Sequence, residues 1–391
     1  MNIYILTGKF GLGHFTAALA IKQYIDSSDL DANVEIIDWL GYIFPKISEK
    51  YYHFFSLLVT KGNKVYNRRY LLLENKQTDQ KPELCLYFLR CFKKFVSEKR
   101  PDLIISTLPI CSQIVSTYKE RTGSQIPLLT CITDITGHSE WISKKTDFYF
   151  VGSHTVKNIL MSKNVPAYKI HITGIPVRME FVKGSRLTTE ASDKSNIRIL
   201  VMGGGLGIFT VDDEFYNGLN MFRGADVTII TGNNIKLYKN LYGRYTNVQV
   251  LGYVSNVYDY MREADVLITK PGGITTFEAI NCEVPILALK PYLQQEIYNA
   301  KFIRDMNIGT IINGSSQECL DHMTRILNCD CIEMYRSNIK KLKSDLSVNK
   351  IIQVLNESII PFVHTVNTYE YKSISAKIDG DMNDEKISFN F

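Results

Sequence analysis

No apolar run in the 391-residue chain approaches the roughly 20 residues that cross a bilayer. The opening stretch, MNIYILTGKFGLGH, breaks at glycines after a strand-length apolar run and lacks the pattern of a secretory leader, so a cytoplasmic location is the expectation. Cysteine is present without metal-site spacing: residues 85, 91, 111, 131, 282, 319, 329 and 331 contain no CxxC pair. That spacing argues against zinc, and a reducing compartment argues against disulfides. Cys329 and Cys331 flank one aspartate, and nothing beside them in the sequence completes a ligand set. Acidic pairs of the DxD type are also missing from the strand ends of the first half. Asp379 and Asp381 lie in a polar tail, and Asp212 with Asp213 follows a glycine turn. A net charge of +5 shows little excess of either sign, but residues 1–185 hold 24 Lys/Arg against 16 Asp/Glu. No recognised nucleic-acid module accompanies that basic half, which argues against nucleic acid and leaves acidic lipid or ordinary surface variation.

What is present is a globular composition, 45% hydrophobic and 22% charged, in a chain long enough for two or three domains. Short β-branched runs alternate with longer helical patterns, the mark of βαβ units and a doubly wound α/β fold. Strands are expected at 2–7, 34–38, 103–107, 128–133, 148–151 and 170–174, then at 197–202, 227–231, 248–252, 265–269, 286–290 and 309–313. Their continuous apolar character suits parallel strands covered on both faces. The polar stretch 181–196 divides the two series, giving a first domain over 1–180, a second over 197–366 and a polar tail over 367–391.

Each half opens with a glycine-rich strand-to-helix turn: TGKFGLGH at 7–14, with Gly11 and Gly13, and MGGGLG at 202–207, with Gly204 and Gly205. A third turn stands in DVLITKPGGITTFEA, Asp265 to Ala279, where Gly272 and Gly273 precede Thr275, Thr276 and Glu278. Free amides and the helix dipole at such a turn favour an anion such as phosphate. Gly272 and Gly273 would let backbone approach it, and the two threonines would add hydroxyl donors. Glu278 would repel phosphate but suits a ribose diol, which one carboxylate can accept from twice. A plain tight turn before an amphipathic helix fits these residues equally well. The first-half turn has the wrong spacing for a dinucleotide fingerprint, and Asp38 is better placed to cap or orient its strand end.

GLGH followed by TAALAI, then TDITGHSEW, ITGIPV, MGGGLG, LGYVSN, DVLITKPGGITTFEAI and QQEIYNA occur in an order that resembles one family. It is that of the processive diacylglycerol glucosyltransferases and monogalactosyldiacylglycerol synthases, related to the enzyme that adds N-acetylglucosamine to the peptidoglycan lipid precursor. The resemblance implies a GT-B fold, two Rossmann-like domains facing across a cleft, and inverting transfer of a hexose from a UDP-sugar without a metal or other cofactor. It places Tyr253 and Val254 at the uracil, Thr275 and Thr276 at the diphosphate and Glu278 at the ribose. Gln295 and Glu296 would meet the donor sugar, with Asn299 nearby. His14 would be the general base, Asp134 a second catalytic residue or an orienting one, and Gly11, Gly13 and Trp141 would border the acceptor.

The implied acceptor is a membrane lipid such as diacylglycerol, and the product β-linked. Residues 39–75 crowd aromatics beside Lys46, Lys50, Lys61, Lys64, Arg68 and Arg69, as an amphipathic segment on an anionic membrane does. A buried helix with a basic loop fits the same pattern. With the resemblance, the expectation is a peripheral protein on the inner face of the cell membrane. The departure Lys-Pro-Tyr-Leu-Gln-Gln-Glu at 290–296 flanks the donor sugar and leaves its identity open. A non-lipid apolar acceptor, or a UDP-sugar sensor without catalysis, would keep the same nucleotide residues.

Overall fold

The computed structural model describes residues 1–10, 13–74, 79–82, 84–184, 196–204, 207, 211–327, 329–347 and 349–359. Gly11, Gly205, most of the expected linker and the expected tail lie outside the described residues. Strands form at all twelve anticipated places. β1 (Asn2–Thr7), β2 (Asn33–Asp38), β3 (Leu103–Ser106), β4 (Leu128–Cys131), β5 (Phe148–Val151) and β6 (Ile170–Ile172) make one sheet in the order β2-β1-β3-β4-β5-β6. β7 (Ile197–Met202), β8 (Ala225–Ile230), β9 (Val248–Leu251), β10 (Val266–Thr269), β11 (Ile286–Leu289) and β12 (Gly309–Ile312) make the other, in the order β12-β11-β10-β7-β8-β9. Every pairing is parallel. β3, β4, β10 and β11 are buried along their whole length, which is why their sequences run apolar without alternation.

Strand order reverses between β1 and β3 in the first sheet and between β7 and β10 in the second, the points where open α/β sheets leave a crevice at their carboxyl ends. Helices flank both sheets, and the two crevices face each other in the GT-B arrangement. The domains also share apolar packing: Trp141 and Ile175 of the first belong to one buried cluster with Phe277 and Ile280 of the second.

Four helices of the first domain matter for the site: α1 (Gly13–Asp26), α2 (Trp39–Ile43), α3 (Ser48–Lys61) and α4 (Asn63–Glu74). Asp38 caps α2, accepting from Gly41 N at 3.3 Å, so this carboxylate serves its strand end as anticipated. Two features differ from the sequence reading. The chain does not finish on the second sheet: Ile351, Val354 and Leu355 pack in the core of the first, beside Ile5 and Ile21, because their apolar face finds its partner there. Cys329 and Cys331 are joined by a disulfide, their Cα atoms 5.2 Å apart, close enough across one residue for the sulfurs to meet.

Candidate active site

The second-domain half of the cleft is built where β7, β9 and β10 end. After β10 the chain turns through Lys270-Pro271-Gly272 into the helix Gly273–Asn281, whose N-cap, Gly272, offers no side-chain acceptor to the first-turn amides. Free amides and a helix dipole at such a start favour an anion. Thr275 stands in this turn, its Oγ1 3.9 Å from where a Cβ on Gly272 would be. Thr276 differs from the expectation. Its hydroxyl donates back to Gly272 O at 2.8 Å and is buried, so it closes the helix turn instead of presenting itself to a ligand.

Glu278 is only 7% exposed, and burial pushes its carboxyl up to about 7 against the opposing pull of Arg178. Gly204 adopts the left-handed backbone at φ 69°, open to glycine without strain. Tyr253 is exposed beyond the end of β9, and Val254 packs against the shared core.

Lys270, which sequence reasoning passed over, spans the two glycine turns. Its Nζ lies 4.0 Å from a Cβ placed on Gly272, and its Cε 3.6 Å from one placed on Gly204. The ammonium pairs with Glu296 Oε1 at 3.0 Å. The signal was available: a lysine directly before Pro-Gly-Gly at the end of a central strand. Glu296 is correspondingly less open than expected. Its other oxygen faces the amides of Tyr292 and Leu293 at 3.4 and 3.5 Å, so it organises its own helix start, Gln294–Asp305, as well as the lysine.

The first-domain half lies at the ends of β1, β3 and β4. His14 is the second residue of α1; its Nδ1 is 2.7 Å from Thr133 Oγ1, and its carbonyl accepts from Thr107 Oγ1 at 3.0 Å. Burial lowers the His14 pKa from its ordinary value, with Asp134 opposing that shift through its charge. Trp141 Nε1 donates to Asp134 Oδ2 at 3.3 Å, and the indole and imidazole centroids are 6.0 Å apart. His14, Asp134 and Trp141 are therefore brought together, as their separate sequence motifs required.

The halves meet closely. A Cβ on Gly273 would stand 2.5 Å from Thr133 O, and one on Gly13 would stand 3.5 Å from Ile274 Cγ1. Gly273 is thus demanded by the opposite domain's backbone, which corrects the expectation that it serves an anion alone. Asn299 is corrected likewise. Buried at 1% exposure, its amide donates to Pro271 O at 2.9 Å and accepts from Ile135 N at 3.2 Å. Both ends are engaged, and the side chain ties the domains beside the site.

Outside the cleft, α3 and α4 carry apolar side chains into solvent. Ile47, Tyr51, Phe54 and Leu57 recur at helical spacing, with Phe54 63% exposed; Val65, Leu71 and Leu72 continue the surface along α4. Lys46, Lys50, Lys64 and Arg68 are exposed among them. Exposed apolar side chains gathered on two neighbouring helices make this a candidate interaction surface.

Among known proteins, the family model of monogalactosyldiacylglycerol (MGDG) synthase matches residues 14–177, and that of the glycosyltransferase family 28 C-terminal domain matches residues 198–327. The processive diacylglycerol beta-glucosyltransferase of Bacillus subtilis (strain 168) is 29% identical over 382 residues, covering 91% of this chain and 95% of that protein. Its counterpart in Bacillus pumilus is 28% identical, covering 91% and 94%. Among solved structures, MurG of Acinetobacter baumannii superposes with a TM-score of 0.61 at 15% identity, covering 91% of this chain and 98% of that one. The spinosyn rhamnosyltransferase SpnG complexed with thymidine diphosphate gives 0.61 at 11%, covering 91% and 100%. These likenesses bear on the fold.

Proposed function

We propose that this chain, a GT-B glycosyltransferase related to the MGDG synthases and the processive diacylglycerol beta-glucosyltransferases, inverts a UDP-hexose onto the hydroxyl of a membrane lipid such as diacylglycerol. The observation that carries the proposal is the pairing across one closed cleft. The half-buried His14 imidazole stands on one side, and the amide-lined turn with Lys270 and Glu278 stands on the other.

With Nδ1 donating to Thr133 Oγ1, Nε2 of His14 is left to take the acceptor's hydroxyl proton. The oxygen then attacks the anomeric carbon from the face opposite UDP, the bond to the β-phosphate oxygen breaks, and the configuration inverts to a β-glycoside. Charge growing on the departing diphosphate meets the first-turn amides of the helix Gly273–Asn281 and the Lys270 ammonium, so transfer proceeds without a metal or other cofactor. Glu278 accepts from the ribose hydroxyls, Tyr253 and Val254 border the uracil, and Gln295 and Glu296 meet the sugar.

The exposed face of α3 and α4, within residues 39–75, supports docking on an anionic membrane: aromatics reach the headgroup level and lysines remain in the surface potential. No helix among the described residues is long and apolar enough to cross a membrane. The exposed basic and apolar face is what supports a peripheral place on the inner face of the cell membrane.

Labelled UDP-glucose and UDP-galactose, each supplied with anionic vesicles containing diacylglycerol, test the proposal. Label entering the organic phase with one donor identifies both substrates. Transfer only to a soluble apolar acceptor would reassign the lipid step, and UDP binding without any transfer would leave a sensor. Replacing Ile47 and Phe54 together by Ser should reduce vesicle-supported turnover by roughly tenfold or more while UDP binding is retained.

A further inference from the structure

The helix Gln294–Asp305 has Glu296 to accept from the amide before it, but no side-chain acceptor at its N-cap. Leu293 is its N-cap residue and has no side-chain oxygen to accept from a first-turn amide. The missing acceptor comes from the other domain: Gln294 N donates to Asn67 Oδ1 at 2.8 Å. Asn67 also donates from Nδ2 to Tyr292 O at 2.8 Å, gripping the turn on both sides of Leu293. One residue earlier on α4, Tyr66 Oη donates to Gln295 Oε1 at 2.8 Å. That bond orients the amide, because an oxygen facing the phenol leaves the NH2 group as the donor available to a ligand.

We propose that Tyr66 and Asn67 are positioning residues for the donor sugar, holding the turn 292–295 from the opposite domain so that the sugar subsite is complete only with α4 docked across the cleft. This rests on the reading that Gln295 and Glu296 meet the sugar. The same helix reaches the other reacting side. Tyr70 O is 3.0 Å from His138 Nε2, and Glu74 Oε2 accepts from Ser139 N at 2.8 Å, which fixes the segment running from Asp134 to Trp141. Burial first, and then the charges of Asp134, Glu140 and Glu296, oppose loss of the Tyr66 proton, so the phenol remains a donor. Val65, Leu71 and Leu72 project from this helix into solvent. One twelve-residue helix, Asn63–Glu74, therefore bears lipid-facing side chains and the clamp on the donor turn.

Tyr66→Phe tests this with little disturbance, since the ring packing against Phe55 and Tyr70 is kept. The KM for UDP-glucose should rise about fivefold in Tyr66→Phe and further in Asn67→Ala, while the inhibition constant of UDP, which lacks the sugar, stays at the wild-type value. Asn67→Asp retains the acceptor for Gln294 N and should recover part of the Asn67→Ala loss. Misfolding would weaken UDP and UDP-glucose alike. An unchanged KM in Tyr66→Phe, or parallel losses for both ligands in a folded variant, would overturn the positioning role. Failure of the unaltered chain to bind UDP at all would instead remove the donor-site reading beneath it.

Discussion

Each half of the cleft holds an ionisable group that desolvation drives toward its uncharged form, with opposite consequences. In the first-domain half, uncharged His14 is the form the proposed base needs, already held by Thr133 before any substrate arrives. In the second-domain half, uncharged Glu278 is not the form the proposed ribose contact needs, because it must lose its proton to accept from both hydroxyls. One half is prepared in advance; the other is finished by its ligand. The polar partners follow the same division. Asp134 is held by the Trp141 indole, whereas Glu278 is left with a more distant Arg178 charge.

The largest effect that would break this comparison is on turnover. His14→Ala should lower kcat by about 10²–10⁴-fold, the range for loss of a positioned general base, with UDP-glucose affinity essentially unchanged. Near-native turnover would transfer the base role elsewhere. An equal loss of affinity would show that the imidazole shapes the donor site as well.

Glu278→Gln comes next, with UDP-glucose binding weakened by roughly 10- to 100-fold through loss of charge-assisted hydrogen bonds. The pH dependence separates this role from packing. The free carboxyl titrates at about 7 and the bound one must be ionised, so binding releases a proton below that pH. Affinity should therefore fall as pH drops below about 7 and level off above it, and Glu278→Gln should abolish that slope. UDP-glucose is the ligand to use in calorimetry, because its diphosphate is substituted at both ends and adds no ionisation near neutrality. A flat profile in the unaltered protein would break the ribose assignment.

Much of the fold was legible because buried parallel strands advertise themselves as short continuous β-branched runs, and all twelve lie where those runs lie. The candidate site was legible where a turn sets a residue's position: His14 after the first glycine turn, Glu278 inside the helix after Gly272. It was less legible where a side chain's partner comes from far along the chain. Nothing local to Gly273 announces Thr133 O, nothing beside Asn299 announces Ile135 N, and Tyr66 meets Gln295 across 229 positions. Thr276 escaped for a different reason, since a threonine in a first helical turn can bond outward or back onto its own turn with the same sequence. Lys270 was hidden by composition, one lysine among many. Its place before Pro-Gly-Gly was readable, but its approach to both Gly204 and Gly272 is visible only in the fold.

The smallest expected effect sharpens the comparison most, because it asks whether the two halves titrate separately. Asp134 opposes the burial of His14 by stabilising the imidazolium, so removing its charge should lower the His14 pKa further. The acid limb of kcat should then move to lower pH in Asp134→Asn. The Glu278 limb in UDP-glucose binding should stay at about 7. Turnover at neutral pH should survive if Asp134 orients and tunes, since the amide can still accept from Trp141 Nε1. Loss of turnover across the whole pH range would instead make Asp134 the base, and His14 would be the residue that orients it.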